Sequence, residues 1–192
     1  TTLTNGSIVL VTLDGTITVG STVNANGTGN ILLNANGSEN DIALNANVQS
    51  GTGNISIIAP DSIVQNAEAD IITNTGTIDF LAKTGSITMN DNAKAYTGNA
   101  EGNIRFNALI DINVGGIDAG AGDISIIAQT GSILDCGDIY KDITGSSLQM
   151  LSAISIGKLG IGTNNPLEIA VNSVTAQTGG GGINLFEDDD IT

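Results

Sequence analysis

The sequence predicts an all-β fold, a right-handed parallel β-helix of roughly eight rungs with about three short strands in each. Three observations lead to this prediction. One phrase returns about every 23 residues, apolar residues alternate within each copy, and β-favouring residues dominate the composition. Hydrophobic residues make up 40% of the 192 residues and aromatic residues only 3%, and there are 26 glycines. Isoleucine, valine and threonine carry most of the apolar content, which favours strands over helices.

The repeated phrase opens with Gly-Asn-Ile or a close variant and marks the first strand of each rung. Its apolar residue recurs after 20 to 26 residues, at Ile8, Ile31, Ile55, Ile78, Ile104, Ile124 and Leu148. A second series follows 8 to 11 residues later, at Ile17, Ile42, Ile63, Ile87, Ile112 and Ile133. A third and looser series comprises Val23, Val48, Ile71, Ile117 and Ile143. Gly, Asn, Asp, Ser and Thr separate the series, which indicates turns.

Within the first series the residues alternate large, large, small, as in Ile55, Ile57 and Ala59. Because successive side chains of a strand point to opposite faces, each triplet shares one face and fills an interior. In a parallel β-helix each strand pairs with its counterpart one turn away, about 4.8 Å along the axis. Like side chains then stack into ladders. A β-sandwich is less consistent with these repeats, because its strands would differ in sequence.

The whole chain, 1–192, is predicted to be a single β-helix segment. Regular rungs occupy 5–150, and looser, junction-like rungs with a longer loop around Gly162–Pro166 occupy 151–192. The stretch FEDDDIT at 186–192, placed before TLTNGSIVL at 2–10, would continue the strand-turn-strand pattern. We therefore expect the segment to be one piece of a longer array, with neighbouring copies or repeats stacked end to end.

Twenty acidic residues against five basic ones give a formal net charge of −15. A surface of this sign repels nucleic-acid phosphates and anionic lipids, so neither is expected as a partner. No apolar run has the length of a membrane span, so membrane insertion is not expected either. The single cysteine, Cys136, excludes an internal disulfide and is predicted to be a small core residue.

Polysaccharide chemistry is the catalytic possibility to weigh, because inverting glycoside hydrolysis needs two carboxyls about 6.5–9.5 Å apart. The acidic residues predicted to face outward are Asp79, Asp111, Asp123, Asp135 and Asp138. A lyase would need calcium and a basic proton acceptor, for which the chain offers Lys83, Lys94, Arg105, Lys141 and Lys158. No histidine is present, and none of these basic residues accompanies a dense acidic group in the sequence. We therefore predict turn or solvated residues, and no enzyme.

The sequence gives little indication of a ligand-binding site. Sugar clefts usually use aromatic platforms, and the chain offers only Phe80, Phe106, Phe186, Tyr96 and Tyr140. No cofactor is predicted, although the acidic surface, Glu187–Asp190 above all, has the oxygen ligands that a divalent cation uses. One outward column, three residues after each first-strand isoleucine, contains Asn34, Ile58, Leu81, Asn107 and Ile127. A covering loop is the preferred explanation of its apolar members, and lateral packing between rods is the alternative.

The words GTGNI-x-L-x-A and TGSI-x, from about residue 5 to 135, are similar to those of large repetitive bacterial surface proteins. The passage IGTNNPLEIAVNSVTAQTGGGGINLFEDDDIT at 161–192 also resembles the junctions between repeat blocks in such proteins. The group is that of the filamentous haemagglutinins and β-strand-repeat proteins. The resemblance implies a secreted, elongated adhesin or structural fibre whose function is distributed along a rod, and it implies no catalytic residues.

The function predicted from the sequence is a structural or adhesive rod segment of a secreted or cell-surface filamentous protein. Its partners would be neighbouring repeats, laterally packed rods, and glycans or other cell surfaces. A glycan-binding β-helix module is the first alternative, and a polysaccharide lyase or hydrolase is the second. Carboxylates that converge in a groove with a basic residue would favour an enzyme, whereas scattered carboxylates favour a rod.

Overall fold

The computed structural model describes residues 1, 4–98, 101–137, 140–160 and 165–188. In these residues the chain forms twenty strands, numbered β1 to β20 in chain order, and no helix. Pairs of named strands are all parallel, and they join residues 18 to 26 positions apart, around a turn of about 24 residues. The predicted parallel β-helix is therefore confirmed.

The first wall of the coil stacks the strands that open with the repeated phrase. They are β1 (Ile8–Val11), β4 (Ile31–Asn34), β7 (Ile55–Ala59), β10 (Ile78–Ala82), β13 (Ile104–Ala108) and β16 (Ile124–Ala128). Their first residues pair in unbroken register along Ile8, Ile31, Ile55, Ile78, Ile104, Ile124, Leu148 and Val174. These eight levels, separated by seven turns, agree with the predicted number of rungs.

The second and third walls use shorter strands. The second wall contains β2 (Ile17–Val19), β5 (Ile42–Leu44), β8 (Ile63–Gln65), β11 (Ile87–Met89), β14 (Ile112–Val114) and β17 (Ile133–Asp135). Single bridges extend it to Ile156 and Ile183. The third wall contains β3 (Val23–Ala25), β6 (Val48–Ser50), β9 (Ile71–Ile72), β12 (Lys94–Tyr96) and β15 (Gly116–Asp118). The second and third series predicted from the sequence thus correspond to walls. The third series did not include Ala95, which lies in the third wall between Ile71 and Ile117, at an interior position where the other levels have a larger residue.

Near the C-terminus the third and first walls fuse. Strand β18 (Ile143–Ser152) pairs with β15 of the third wall and with β16 of the first wall. Strand β19 (Leu167–Thr178) pairs along β18, and β20 (Leu185–Glu187) pairs with the start of β19. Leu167, Ile169 and Val171 of β19 alternate with other residues along the strand and are buried. The loop predicted at Gly162–Pro166 lies outside the described residues except for its last two positions.

The interior is a set of ladders of like side chains. In the first wall the isoleucine ladder lies beside a second ladder that contains Leu33, Ile57, Phe80, Phe106 and Ile126, and both are buried. The rings of Phe80 and Phe106 stack with centroids 4.5 Å apart and planes inclined by 9°. Burial of apolar surface at about 25 cal/mol per Å² makes these ladders the main stabilising element.

The corner before the first wall explains the repeated GTGN words. The Asn54 carboxamide oxygen accepts a hydrogen bond from the backbone N–H of Thr77, one level on, at 2.9 Å. Asn30 accepts in the same way from Asn54 at 2.8 Å. Gly53 lies directly against the backbone carbonyl of Gly29, where a Cβ would overlap the carbonyl oxygen. The GTGN word therefore supplies a glycine at a position where no side chain fits, followed by an asparagine whose side chain accepts a hydrogen bond from the next level.

The chain contains three copies of the word Asn-Ala-Asn, at 24–26, 34–36 and 45–47, and they lie on successive walls. Val23 begins a strand of the third wall, and Leu33 and Leu44 lie in the first and second walls. Beyond Leu44, Asn45 begins an amide ladder in which Asn66 donates to Asn45, and Asn90 donates to Asn66 at 2.8 Å.

Candidate functional site

A groove of about 650 Å³ lies on the outer face of the first wall. Two axial columns of side chains line it. The corner column comprises Asn54, Thr77, Asn103, Asp123, Ser147 and Ser173. The strand column comprises Ser56, Asp79, Arg105, Ser125, Gln149 and Thr175. We call this feature the first-wall groove.

The fold places these residues by simple rules. The corner residue of each level precedes the inward isoleucine or its equivalent, and the strand-column residue follows it, so both lie outside. Parallel register then stacks Ser56, Asp79, Arg105 and Ser125 in one line along the axis. The groove therefore follows the long axis of the coil.

One ion pair crosses the middle of the groove. Nε of Arg105 donates to Oδ1 of Asp79 at 2.7 Å, and Nη2 donates to Oδ2 at 3.0 Å. The Arg105 side chain is half exposed, and it is the only arginine in the chain. The hydrogen bond to Asp79 raises the pKa of Arg105 above its ordinary value. The guanidinium therefore stays protonated, so it is suited to donate hydrogen bonds rather than to accept a proton as a lyase base.

The structure describes four of the five acidic residues that were predicted to face outward. Asp79 and Asp123 line the first-wall groove with Arg105, and Asp111 lies at the corner of the second wall, where it accepts from the backbone N–H of Ser132 at 2.7 Å. Asp138 lies outside the described residues. The outward prediction for Asp135 is wrong, because strand alternation places Ile133 and Asp135 inside and Leu134 outside.

Two lysines contribute to a second cavity of about 310 Å³ on the third wall. Lys94 and Lys141 line it with Tyr96 and Asp118, and the Lys141 ammonium pairs with Asp188 at 3.1 Å. The other two lysines, Lys83 and Lys158, are exposed and line neither cavity. A carboxylate therefore shares each cavity with a basic residue, which is the grouping that the sequence criterion associated with an enzyme, but in the first-wall groove the basic residue is the protonated Arg105. The sequence did not predict these groupings, because Asp79 and Arg105, like Lys94 and Asp118, lie about a full turn apart.

A buried acidic cluster was missed by sequence reasoning. Asp142 is 2% exposed, and one of its carboxyl oxygens accepts from the backbone N–H of Glu168 at 2.9 Å. Burial raises the pKa of Asp142 to about 9, and the charges of Asp135 and Glu168 and a side-chain hydrogen bond with Glu168 also raise it. Asp135 accepts from the backbone N–H of Gly137 at 2.9 Å. At neutral pH the Asp142 carboxyl is therefore protonated.

The remaining candidates are dispersed. In the described part of the chain no three Cys, Asp or Glu side chains are grouped as a metal site would require. Of the acidic run, Glu187 accepts from the backbone N–H of Val171 at 3.2 Å, and Asp189 and Asp190 lie outside the described residues. Phe80 and Phe106 are buried, whereas Tyr140 and Phe186 are exposed. Cys136, predicted in the core, is only half-buried.

The outward apolar column is an exposed ridge. Register continues it along Ile58, Leu81, Asn107, Ile127 and Leu151. Ile58, Leu81 and Ile127 are partly exposed, and Leu151 is 43% exposed, so the preferred explanation of a covering loop is not supported. We call this column the apolar ridge; it borders the strand column of the first-wall groove.

Comparison with protein families, with curated proteins and with solved structures gives no match for this chain. Among the described residues, no helix has the length and apolarity needed to cross a membrane.

Proposed function

We propose that this chain is a structural rod segment of a secreted or cell-surface filamentous protein, with a spacing or adhesive role and no catalysis of its own. The observation that supports it best is the stacking of one rung design over eight levels of the first wall without a break in register. Each rung contacts its neighbours above and below, so length is added without a change in design.

The ends of the coil support stacking of neighbouring copies or repeats. At the first level Leu10 is 45% exposed, whereas Leu33, one level on in the same ladder, is fully buried. Val9, Val11 and Leu13 are exposed beside it. An edge strand with exposed apolar side chains is a template for another strand. We propose that a further rung, of a neighbouring copy or repeat, packs on this edge.

Sedimentation velocity over a range of concentrations tests this proposal. Wild-type protein is expected to self-associate, and Leu10→Lys is expected to weaken association at least tenfold, because it places an ammonium at the stacking surface. Leu151→Lys is the matched control, since Leu151 is 43% exposed but lies on the outer ridge away from that edge. Circular dichroism checks that both variants are folded.

A wild-type protein that stays monomeric at millimolar concentration would overturn end-to-end stacking. Equal weakening by Leu10→Lys and Leu151→Lys would also overturn it, because association would then use the outer surface rather than the edge.

A further inference from the structure

The outer face of the first wall carries two kinds of surface side by side. The first-wall groove is lined by hydroxyl, amide and charged groups, and the apolar ridge runs parallel to it. Sugar rings present hydroxyls at their edges and C–H groups on their faces. A polar groove beside an apolar ridge matches both.

We propose that the first-wall groove binds a neutral, linear, extended polysaccharide that lies along the axis of the coil. Neither catalysis nor the stacking of rods requires this site, so it is a separate binding function of the same segment.

Spacing supports the linear geometry. Adjacent levels of the wall are about 4.8 Å apart, which is close to the length of one pyranose ring in an extended β-1,4-linked chain. Successive rings, alternately turned over, therefore lie one to a level along the strand column, from Ser56 through Asp79, Arg105, Ser125 and Gln149 to Thr175. Small side chains at Ser56 and Ser125 leave room for the chain directly on both sides of the ion pair, and beyond Ser125 the column continues with the Gln149 amide, which accepts from the Ser125 hydroxyl at 3.3 Å.

Charge supports a neutral ligand. The charged side chains of the groove are Asp79, Arg105 and Asp123, and the other lining residues are neutral. Two carboxylates against one guanidinium, on a chain of net charge −15, disfavour a polyanion. Hydroxyl and amide groups remain to bind uncharged sugars, each through hydrogen bonds of modest strength.

Arg105 is the central donor of the site. Asp79 engages its Nε and Nη2 atoms and so fixes the guanidinium plane. A guanidinium has five N–H donors, so the bidentate pair leaves others for sugar hydroxyls. Because the side chain is half exposed, these donors are accessible from solvent.

Isothermal titration calorimetry with three hexasaccharides tests the proposal: cellohexaose and chitohexaose as neutral probes, and hexagalacturonate as the anionic probe. We expect a neutral hexamer to bind and hexagalacturonate to bind at least tenfold more weakly. Ser125→Trp, which fills the groove beside the ion pair, is expected to reduce the affinity at least tenfold. Thr88→Trp is the matched control, because it puts the same indole on the outer face of the second wall and is expected to bind like the wild type.

Arg105→Lys keeps the positive charge but removes the guanidinium group. We expect this variant to bind a neutral hexamer at least threefold more weakly than the wild type. No binding of either neutral hexamer at millimolar concentration would overturn the proposal. Tighter binding of hexagalacturonate, or equal loss of affinity in Ser125→Trp and Thr88→Trp, would overturn it as well. None of these results would affect end-to-end stacking, which sedimentation measures independently.

Discussion

At the residue scale, the corners of this coil depend on two kinds of position with opposite needs. At Gly53 the chain has room for no side chain, because the carbonyl of Gly29 occupies the space where a Cβ would lie. At Asn54, the next residue, a side chain is needed to accept the N–H of Thr77. Both needs recur at other levels: Gly76, Gly102 and Gly122 also lie against a carbonyl of the level before, and Asn30 and Asn103 accept from the level after.

Replacing a corner glycine should therefore destabilise the fold, whereas an exposed one should tolerate the change. We expect Gly53→Ala to lower the free energy of unfolding by about 2–3 kcal/mol through steric overlap with the neighbouring turn. Gly20→Ala is the control, because nothing lies within 4 Å of the added Cβ, and we expect a change within about 0.5 kcal/mol. Urea denaturation measures both, and equal effects would contradict this account of the corner.

The buried acidic cluster predicts an unusual pH dependence. The pKa of Asp142 is about 9 in the folded protein and about 3.9 in an unfolded chain. Between these values the folded state binds one proton more than the unfolded state, so this group makes the protein less stable as pH rises. Its contribution to stability is fully present below pH 4 and is lost progressively up to about pH 9.

Asp142→Asn keeps a neutral group and an oxygen that can accept from Glu168, and it removes the titration. We expect it to raise the free energy of unfolding at pH 7 by about 1–3 kcal/mol and to have a smaller effect at pH 5. Denaturation at pH 5, 7 and 9 measures this difference. Asp91→Asn, in an exposed turn, is the control and should follow the wild type. A constant difference across the three pH values would argue against a titrating Asp142.

The corners were predictable in outline because the residues that form them repeat in the sequence. Gly, Asn, Asp, Ser and Thr between the returns of isoleucine indicated the positions of the turns. The interior polar residues were not predictable. Gln65 is fully buried and donates to the carbonyls of Ala69 and Lys94 at 2.8 and 2.9 Å. Periodicity shows where such a residue points, but it does not show its partners, one of which, Lys94, belongs to another turn.

At the element scale, each strand is too short to be stable alone and depends on its counterparts one level away. The strands of the second wall have three residues each, yet their isoleucines are buried because neighbours cover them on both sides. The central pair of the first wall is the aromatic one, where β10 and β13 place Phe80 directly beside Phe106.

A double-mutant cycle measures how strongly two adjacent strands are coupled. We expect Phe80→Leu and Phe106→Leu to show a coupling free energy of about 0.5–1.5 kcal/mol, because the stacked rings lose their contact in either variant. Ile57→Val with Phe106→Leu is the control, since these positions lie two levels apart in the same ladder, and their effects should add within about 0.5 kcal/mol. A coupling as large in the control pair would contradict contact between adjacent levels as its source.

The fusion of the third and first walls in β18 and β19 could not be predicted from the sequence. In the earlier rungs glycine-containing turns separate the walls, whereas Ile143–Ser152 runs through the same corner as one strand. Gly145 and Ser146 keep turn-like residue types there, so composition still indicated a break. The difference depends on backbone pairing with β15 and β16 together.

At the scale of the whole molecule, stability should depend on the number of complete rungs. Deleting residues 55–77 joins Asn54 to Ile78 and removes one turn, so that Ile78 pairs where Ile55 did. We expect a folded protein whose denaturant dependence of unfolding, the m-value, falls by about an eighth.

Deleting residues 55–65 is the matched control, since it removes only part of a turn and brings Asn66 to the start of a first-wall strand. We expect this variant to lose cooperative unfolding, because its inward and outward residues no longer alternate in register. Urea denaturation followed by circular dichroism compares the two. Similar behaviour of both deletions would contradict a coil built of interchangeable turns.

The side-chain bonds at the corners also have a direction. Thr16 accepts from Asp41, Asp41 from Ser62 and Ser62 from Ser86, each time through the backbone N–H of the later turn. Asn47, Asp70 and Asp142 do the same on the third wall. A finished turn thus presents acceptors to the segment that follows it. For a chain that emerges N-terminus first, whether from a ribosome or a membrane pore, this order lets each turn be a template for the next before the rest of the chain has appeared.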